Sequence, residues 1–376
     1  MHSSAGRYGA DRQLQQLVTG LDPARYRPLV VLPEHGPLAA DLRAAGVDVR
    51  VRELAVLRRA LFSPGGMALI GRRLAADAAK LRGLARSAGA ALVHTNTSVT
   101  LGGAAAARAA SLPHVWHVRE IYTDFATWWP TYRRVLLTAD AVPCLSEATR
   151  AQFGSAPNAL VVPEGLPADA ERRRPVDRDA ARAQLGLADD AFVCLLVGRI
   201  NGWKGQDVLA RALAEPGLRE LHGTALVAGD AWPGEERHVE ALRALAPALE
   251  LGERLRLLGF RDDLDRLYGA ADVVVVPSTR PEPLGLVALE AAAAGCCVVA
   301  SDIGGLPEIL RDRETGRLVP AGDPAALATT LAELARDGSE RARLGAAAAL
   351  DVRARFSRAQ LLERTQALYD RVLDDH

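Results

Sequence analysis

The residues best suited to chemistry gather in the second half of the chain. The run Val273-Val274-Val275-Val276-Pro277 leads through Ser278-Thr279-Arg280-Pro281-Glu282-Pro283-Leu284-Gly285 into a helix expected over Gly285–Ala294, which carries Glu290. Pro281 and Pro283 restrict the backbone on either side of Glu282 and fix its carboxylate just ahead of that helix. Glu282 and Glu290 can both accept hydrogen bonds from hydroxyls. The loop amides and the helix N-terminus add donors and a positive dipole end suited to an anion or a sugar hydroxyl. Upstream, Gly198-Arg199 and Gly202-Trp203-Lys204-Gly205 follow the strand expected over Phe192–Val197. Two cations at a strand–helix junction can neutralise a departing pyrophosphate. Lys204 carries extra weight, because only Lys80 and Lys204 among the 46 basic residues are lysines. A coding bias that turns Lys into Arg wherever either serves has spared it.

The first half offers weaker candidates. Ser3-Ser4-Ala5-Gly6-Arg7-Tyr8-Gly9 reads as a Gly-rich loop before a helix. His94-Thr95-Asn96-Thr97 and Trp116-His117-Val118-Arg119-Glu120 each end a strand, with His114 read as packing. Tyr122, Phe125, Trp128, Trp129 and Tyr132 concentrate aromatic rings in a chain that is 5% aromatic. They suit a sugar-stacking lid over an acceptor or a packed cluster. No His, Cys, Asp or Glu group has metal-ligand spacing, so no metal is expected. A dinucleotide fingerprint is missing, and Trp203 between Gly202 and Lys204 breaks any Walker A reading.

The elements that must position these residues alternate. Short apolar strands are expected over Pro28–Pro33, Val47–Val51, Ala91–Thr95, His114–Val118, Ala141–Leu145 and Leu160–Pro163. A second series covers Phe192–Val197, Thr224–Ala228, Arg256–Leu258, Asp272–Pro277, Cys297–Ser301 and Arg317–Val319. Helical stretches such as Asp11–Leu21, Met67–Ala88, Gly205–Ala214 and Glu235–Ala246 lie between them. This βαβα order predicts an α/β chain with parallel sheets, whose strands are apolar runs because helices cover both faces. The charged segment Ala168–Ala183, with Arg172-Arg173-Arg174-Pro175, reads as a linker between two halves. Phe356–His376 reads as one amphipathic helix with Leu361, Leu362, Leu368 and Leu373 on one face. A doubly wound domain opens with a strand before its first Gly-rich loop. Here the loop comes at once, so a truncated chain or a late start codon is expected.

Composition narrows the class. The 376 residues suggest two domains, possibly a third. Lys+Arg and Asp+Glu are both 46, and a net charge of zero argues against a protein that coats nucleic acid. Cys144, Cys194, Cys296 and Cys297 read as small core hydrophobes in a reducing cytoplasm. No signal peptide and no apolar run of ~18 residues is found; peripheral contact with the inner face of a membrane is left open.

Glu282-Pro283-Leu284-Gly285…Glu290 resembles the E-P-x-G-x4-E signature of retaining GT-B glycosyltransferases of the group 4 family, and Gly198-Arg199…Lys204-Gly205 resembles their G-R-x4-K-G element. The likeness extends in order through Gly229-Asp230, Gly259-Phe260-Arg261 and Gly304-Gly305, with Gly6 and Gly9 matching the family's N-terminal Gly-rich loop. The resemblance implies a GT-B architecture, two Rossmann-like doubly wound domains facing across a cleft. An N-terminal domain (1–168) would hold the acceptor, a C-terminal domain (169–355) the donor, and a helix (356–376) would fold back on the first.

By the same resemblance a sugar leaves a nucleotide-diphosphate donor, without a cofactor or metal, for a glycan, lipid-linked or small-molecule acceptor. The setting implied is bacterial cell-envelope polysaccharide synthesis. Arg199 and Lys204 would stabilise the diphosphate, Glu290 would hold the ribose, and Glu282 with the backbone of Leu284, Gly285 and Leu286 would hold the sugar. Gly198, Gly229, Phe260 and Arg261 would line the nucleotide. His117 would stand near the reacting carbon, with Asn96, Glu120, Trp128 and Trp129 toward the acceptor. A 2-epimerase of the same fold and a catalytically silent nucleotide-sugar-binding partner stay open as alternatives.

Overall fold

The computed structural model describes residues 1–57, 64–123, 127–167, 170, 176–188 and 190–376. Two units emerge, Met1–Pro167 with Arg358–His376, and Ala168–Ser357. The Arg172–Pro175 part of the expected linker and Phe125 lie outside the described residues.

In the first unit β1 (Leu29–Leu32) pairs in parallel with β2 (Asp48–Val51), β3 (Val93–Thr95) with β4 (His114–Trp116), and β5 (Val142–Cys144) with β6 (Ala159–Val161). Single bridges at Val115–Ala141 and Val118–Cys144 join β4 to β5. Met1 and His2 make backbone bonds to both sides: His2 donates to Val31 O at 3.1 Å, and Asn96 donates to Met1 O at 2.8 Å. The terminal helix Arg358–Asp374 belongs to this unit and packs Leu361, Leu368, Tyr369 and Val372 against Val115, Ala141 and Val162. Its buried face departs from the leucine spacing. Leu362 is only half-buried and Leu373 is exposed, because the stripe runs through Leu361, Thr365, Leu368, Tyr369 and Val372 at the 3.6-residue period. Tyr369 turns its phenol inward to His94 Nδ1 at 2.5 Å, which gives a polar tip a buried partner.

The second unit is a six-stranded parallel sheet. Its strands are β7 (Val193–Val197), β8 (Thr224–Ala228), β9 (Leu255–Gly259), β10 (Val273–Val276), β11 (Val298–Ser301) and β12 (Arg317–Val319), in the order β12-β11-β10-β7-β8-β9. Read from the other edge this is the doubly wound order 3-2-1-4-5-6, and its direction reverses between β7 and β10. All four residues of β10 are buried, as a strand covered on both faces must be. The expected linker extended too far, since Arg178–Gln184 is already a helix, started by the Asp177 side chain capping the amides of Asp179 and Ala180. The cap outweighs the charged composition because it satisfies orphan donors of the first turn.

Asp272, just before β10, ties this unit together. Its carboxylate takes Arg178 at 2.7 Å, Arg182 at 3.3 Å, Arg341 at 3.4 Å and the Val193 amide at 2.8 Å. Helix Arg178–Gln184, helix Gly338–Arg355 and two central strands therefore meet on one nearly buried acid. Removing one partner of such a buried pair leaves charge uncompensated. Asp272→Ala should lower the urea-unfolding stability of the chain by ~3 kcal/mol; a loss indistinguishable from zero would mean that the arginines re-pair with solvent at no cost.

Burial holds several histidines of the first unit neutral. His114, with its ring nitrogen 2.8 Å from Thr95 Oγ1, is pushed down to about 4, chiefly by desolvation. The sign follows from linkage. Above its unfolded value near 6.5 the group is neutral in both states, and below that value only the unfolded chain gains the proton. Stability is thus whole above about pH 6.5 and declines as pH falls toward 4. His114→Gln, which keeps a polar partner for Thr95, should lose less stability than the parent between pH 7 and pH 5, by roughly 2 kcal/mol. Parallel pH curves for the two proteins in chemical denaturation would refute this.

Candidate functional site

The sheet reversal in the second unit brings the loops after β7 and β10 together, and they hold the acidic and basic candidates. The loop after β7 begins with Asn201, whose carboxamide oxygen accepts the amides of Trp203 at 3.0 Å and Lys204 at 2.9 Å. This Asx turn aims the Lys204 side chain. Gly205 then caps helix Gln206–Ala214 with φ +76°, and a Cβ on it would come within 1.9 Å of Pro277 O. Only glycine permits both that backbone and that approach. Thr279 N donates to Trp203 O at 2.8 Å, which closes the two loops on each other.

Lys204 Nζ lies 2.6 Å from Glu282 Oε1, and Ser278 Oγ donates to the same oxygen at 2.6 Å. Glu282 is buried at 4% exposure, so its charge needs both partners. Its backbone is gripped from the other side. Gly305 N donates to Glu282 O at 2.8 Å, and a Cβ on Gly304, at φ +64°, would meet that oxygen at 2.4 Å. The Gly304-Gly305 turn is thus a seat for the Glu282 loop. Leu284 is buried beneath it, and Gly285 opens helix Leu286–Ala293, in which Glu290 is the fifth residue and also buried.

The remaining candidates of this unit lie at the ends of β7, β8 and β9. Gly198 N donates to Ala228 O at 2.9 Å and Gly229 N to Gly259 O at 2.8 Å, so the ladder continues past the strands. The Arg199 guanidinium lies over the Trp232 ring, 3.2 Å from its centroid. Phe260 exposes its ring, while its amide donates to Asp230 Oδ2 at 3.0 Å. Arg261 makes a two-point pair with Asp263 at 2.7 and 2.5 Å. Ser278, Asn201 and Trp232 were missed by sequence reasoning. An Asn two residues before an amide-rich turn, inside Gly198–Gly205, was the one signal available for any of them.

In the first unit the candidates join a buried polar network. Asp11 accepts from Ser4 Oγ at 2.6 Å and from the Tyr8 amide at 2.9 Å, and contacts His2 Nε2 at 2.9 Å. This shapes the Gly6–Gly9 loop into the start of helix Gly9–Val18. His2 continues to Asn96 Nδ2 at 3.1 Å, and Asn96 Oδ1 accepts from Arg119 at 3.0 Å. Arg119 pairs with buried Glu164. Asn96 is therefore a buried clamp whose amide is used inside the unit. Glu120 accepts the hydroxyl and amide of Ser98, and burial pushes its carboxyl up.

His117 is buried at 2% exposure beside His94, ring centroids 5.7 Å apart, and neither of its ring nitrogens has a hydrogen-bond partner among the described residues. Burial holds it well below the usual imidazole value, so it is neutral at pH 7. The aromatic stretch divides. Trp129 stacks on Tyr122 at 4.9 Å and meets Phe153 edge-on, whereas Trp128 is 64% exposed. Arg119, Glu164, His2 and Asp11 were missed; a lone acid straight after an apolar strand, as in Pro163-Glu164-Gly165, hints at a buried partner. Among the described residues no group of three or more His, Cys, Asp or Glu could hold a metal ion, and no helix is long and apolar enough to cross a membrane.

Two family models cover most of the chain. The model for glycosyltransferase family 4 matches residues 8–169, and that for glycosyl transferases group 1 matches residues 177–351. The D-inositol 3-phosphate glycosyltransferase of Mycolicibacterium gilvum is 43% identical over 205 residues, covering 54% of this chain and 44% of that protein. The one from Streptomyces scabiei is 40% identical over 214 residues, covering 55% and 47%. The matched stretch thus spans about half the length of these curated relatives. Among solved structures, HepE of Anabaena, crystallised with UDP-glucose, superposes with a TM-score of 0.82 at 28% identity over 98% of both chains. Sucrose-phosphate synthase of Thermosynechococcus elongatus gives 0.79 at 25% identity over 99% and 96%. With each half matched by its own model and the whole length by these folds, the chain belongs to the group 4 family of GT-B glycosyltransferases.

Proposed function

We propose that this chain transfers a glycosyl residue from a nucleoside-diphosphate sugar to an acceptor hydroxyl, with retention of configuration and without a metal. The observation that carries the reading is the meeting of Lys204 and Glu282 at the reversal point of the sheet, 2.6 Å apart. Ligands of doubly wound sheets bind at the carboxyl ends of the strands at that point. Arg199 and Lys204 neutralise the diphosphate, Glu290 accepts from the ribose, and Glu282 with the Leu284–Leu286 backbone holds the sugar. Backbone groups near Phe260 and Arg261 line the base, with Gly198 and Gly229 letting the nucleotide approach. The complexes of HepE with UDP and UDP-glucose support a nucleotide donor of this kind. The first unit takes the acceptor, with His117 and the Gly6–Gly9 loop as its contacts and Glu120 and Trp128 beside them. Trp129 supports that surface from within its packed cluster.

In the step itself the bond between the anomeric carbon and the phosphate oxygen breaks, its electron pair passing to the phosphate. The acceptor oxygen bonds the same face of an oxocarbenium-like carbon, and its proton goes to the departing phosphate oxygen. No protein nucleophile is required. The cations act on charge that develops in the transition state, where such groups are most effective.

A thermal-shift panel of UDP, GDP, ADP and TDP with their sugars identifies the donor, since a ligand of the native state alone raises the unfolding temperature. With that donor, Arg199→Ala and Lys204→Ala should each weaken nucleoside-diphosphate binding at least ~10-fold, in line with a lost charge-assisted contact. Glu282→Gln should reduce transfer far more than nucleotide affinity. Unchanged binding in both cation variants would remove the donor site. Product made in excess EDTA should form at the uninhibited rate and keep the donor's anomeric configuration by NMR coupling. Inverted product, or activity lost to EDTA, would overturn the mechanism. The acceptor panel should include D-inositol 3-phosphate, for which the curated relatives are named. Epimerised donor without transfer would favour the 2-epimerase alternative, and tight binding without turnover the silent partner.

A further inference from the structure

The two cations of the donor site are held by different means. Lys204 is held by charge, against Glu282. Arg199 rests on a ring face: its guanidinium carbon stands 3.2 Å from the centroid of the Trp232 ring. We propose that Trp232 is a positioning residue for the diphosphate, an aromatic plate that sets the plane of Arg199 before the ligand arrives. The proposal rests on the donor-site reading above.

Trp232 belongs to the loop after β8, and the neighbouring loops fix its place. Ile200 N, one residue beyond Arg199, donates to Asp230 O at 3.0 Å. The Asp230 carboxylate accepts the Phe260 amide at 3.0 Å, so the loop after β9 braces the same point. Glu235 N donates to Trp232 O at 2.8 Å, closing the turn that leads to helix Arg237–Ala248. The indole is 50% exposed, with Arg199 over its face.

The geometry of the pair suits an anion site. A guanidinium donates hydrogen bonds in its own plane and meets aromatic rings with its face. Stacking therefore engages the face of the guanidinium and not its N–H groups. An unrestrained arginine gives up rotamer freedom worth up to ~2 kcal/mol when it is ordered on a ligand. A plate that orders it beforehand removes part of that cost from binding. Phosphate competes with Glu282 for Lys204, but it does not compete with Trp232 for Arg199.

The test uses the full chain and calorimetric titration with UDP, GDP, ADP and TDP and the matching monophosphates. Trp232→Ala should weaken the diphosphate that binds roughly 3- to 20-fold, the range of a partly exposed cation–aromatic contact. It should weaken the matching monophosphate less. Trp232→Phe, which keeps a face, should recover affinity to within ~3-fold, and Trp232→Leu, which keeps bulk alone, should not. In the Arg199→Ala background, Trp232→Ala should cause no further loss beyond ~2-fold, because the two act as one unit. Unchanged affinity in Trp232→Ala, a full additional loss in the Arg199→Ala background, or recovery by Leu equal to that by Phe would each overturn the proposal while leaving the donor site intact. Failure of the unsubstituted chain to bind any of the four diphosphates would overturn the donor site and this inference together.

Discussion

A buried carboxylate has to be answered inside the protein, and in the second unit the answer shapes everything around it. Glu282 leaves the end of β10 with its side chain 6% exposed, and Lys204 leaves the end of β7 to meet it. The two residues are 78 positions apart in sequence and become neighbours only because the sheet reverses between these strands. The Gly205 approach to Pro277, the Asx turn at Asn201 and the Gly304-Gly305 seat all serve this one juncture. A side chain at Gly205 would separate the loops, and the glutamate would then stand desolvated without its cation, a large penalty. The arrangement of these loops thus draws on the same few atoms.

The first unit solves a related problem with a chain of polar contacts. Its strands are only three or four residues long, and much that lies at their ends is polar and buried. Asp11, His2, Asn96 and Arg119 pass hydrogen bonds from the first helix across the ends of the strands to Glu164 after β6. Such a network specifies one arrangement only when each member is satisfied. His117 lies beside this network, buried and neutral with both ring nitrogens unmet among the described residues. A neutral imidazole can donate from one nitrogen and accept at the other, so it can answer a hydroxyl group in either sense.

Much of the architecture was legible in the sequence because parallel strands under helices are written as short apolar runs. Every one of the twelve expected strand positions holds a strand, two with the expected bounds and the rest within a residue or two at their ends. What escaped was information carried by long-range polar pairing. Asp272 reads as the first residue of a strand, and nothing local says that Arg178, Arg182 and Arg341 converge on it. The terminal helix forms as expected, but its buried face departs from the leucine spacing for a different reason. Leucine alone was counted as apolar, while Thr365 and Tyr369 turned inward because each could bury its bulk, and Tyr369 found His94 for its hydroxyl. In the loops after β7, β8 and β10 the charged residues stood out, but Ser278 and Trp232 did not. Their importance lies in whom they touch rather than in what they are.

Lys204 itself is a case where residue type follows from geometry. In a chain whose basic residues are otherwise arginines except for Lys80, an arginine here would have been the default. The carboxylate of Glu282 takes both of its donors, Lys204 and Ser278, on Oε1. A compact ammonium can share one oxygen with a serine hydroxyl. A guanidinium, flat and forked, tends to claim both carboxylate oxygens at once. It would displace Ser278 or turn the carboxyl group, and it would engage Oε2 as well. A lysine at this position leaves Glu282 bonded through one oxygen, while the neighbouring Arg199 stacks on the Trp232 indole.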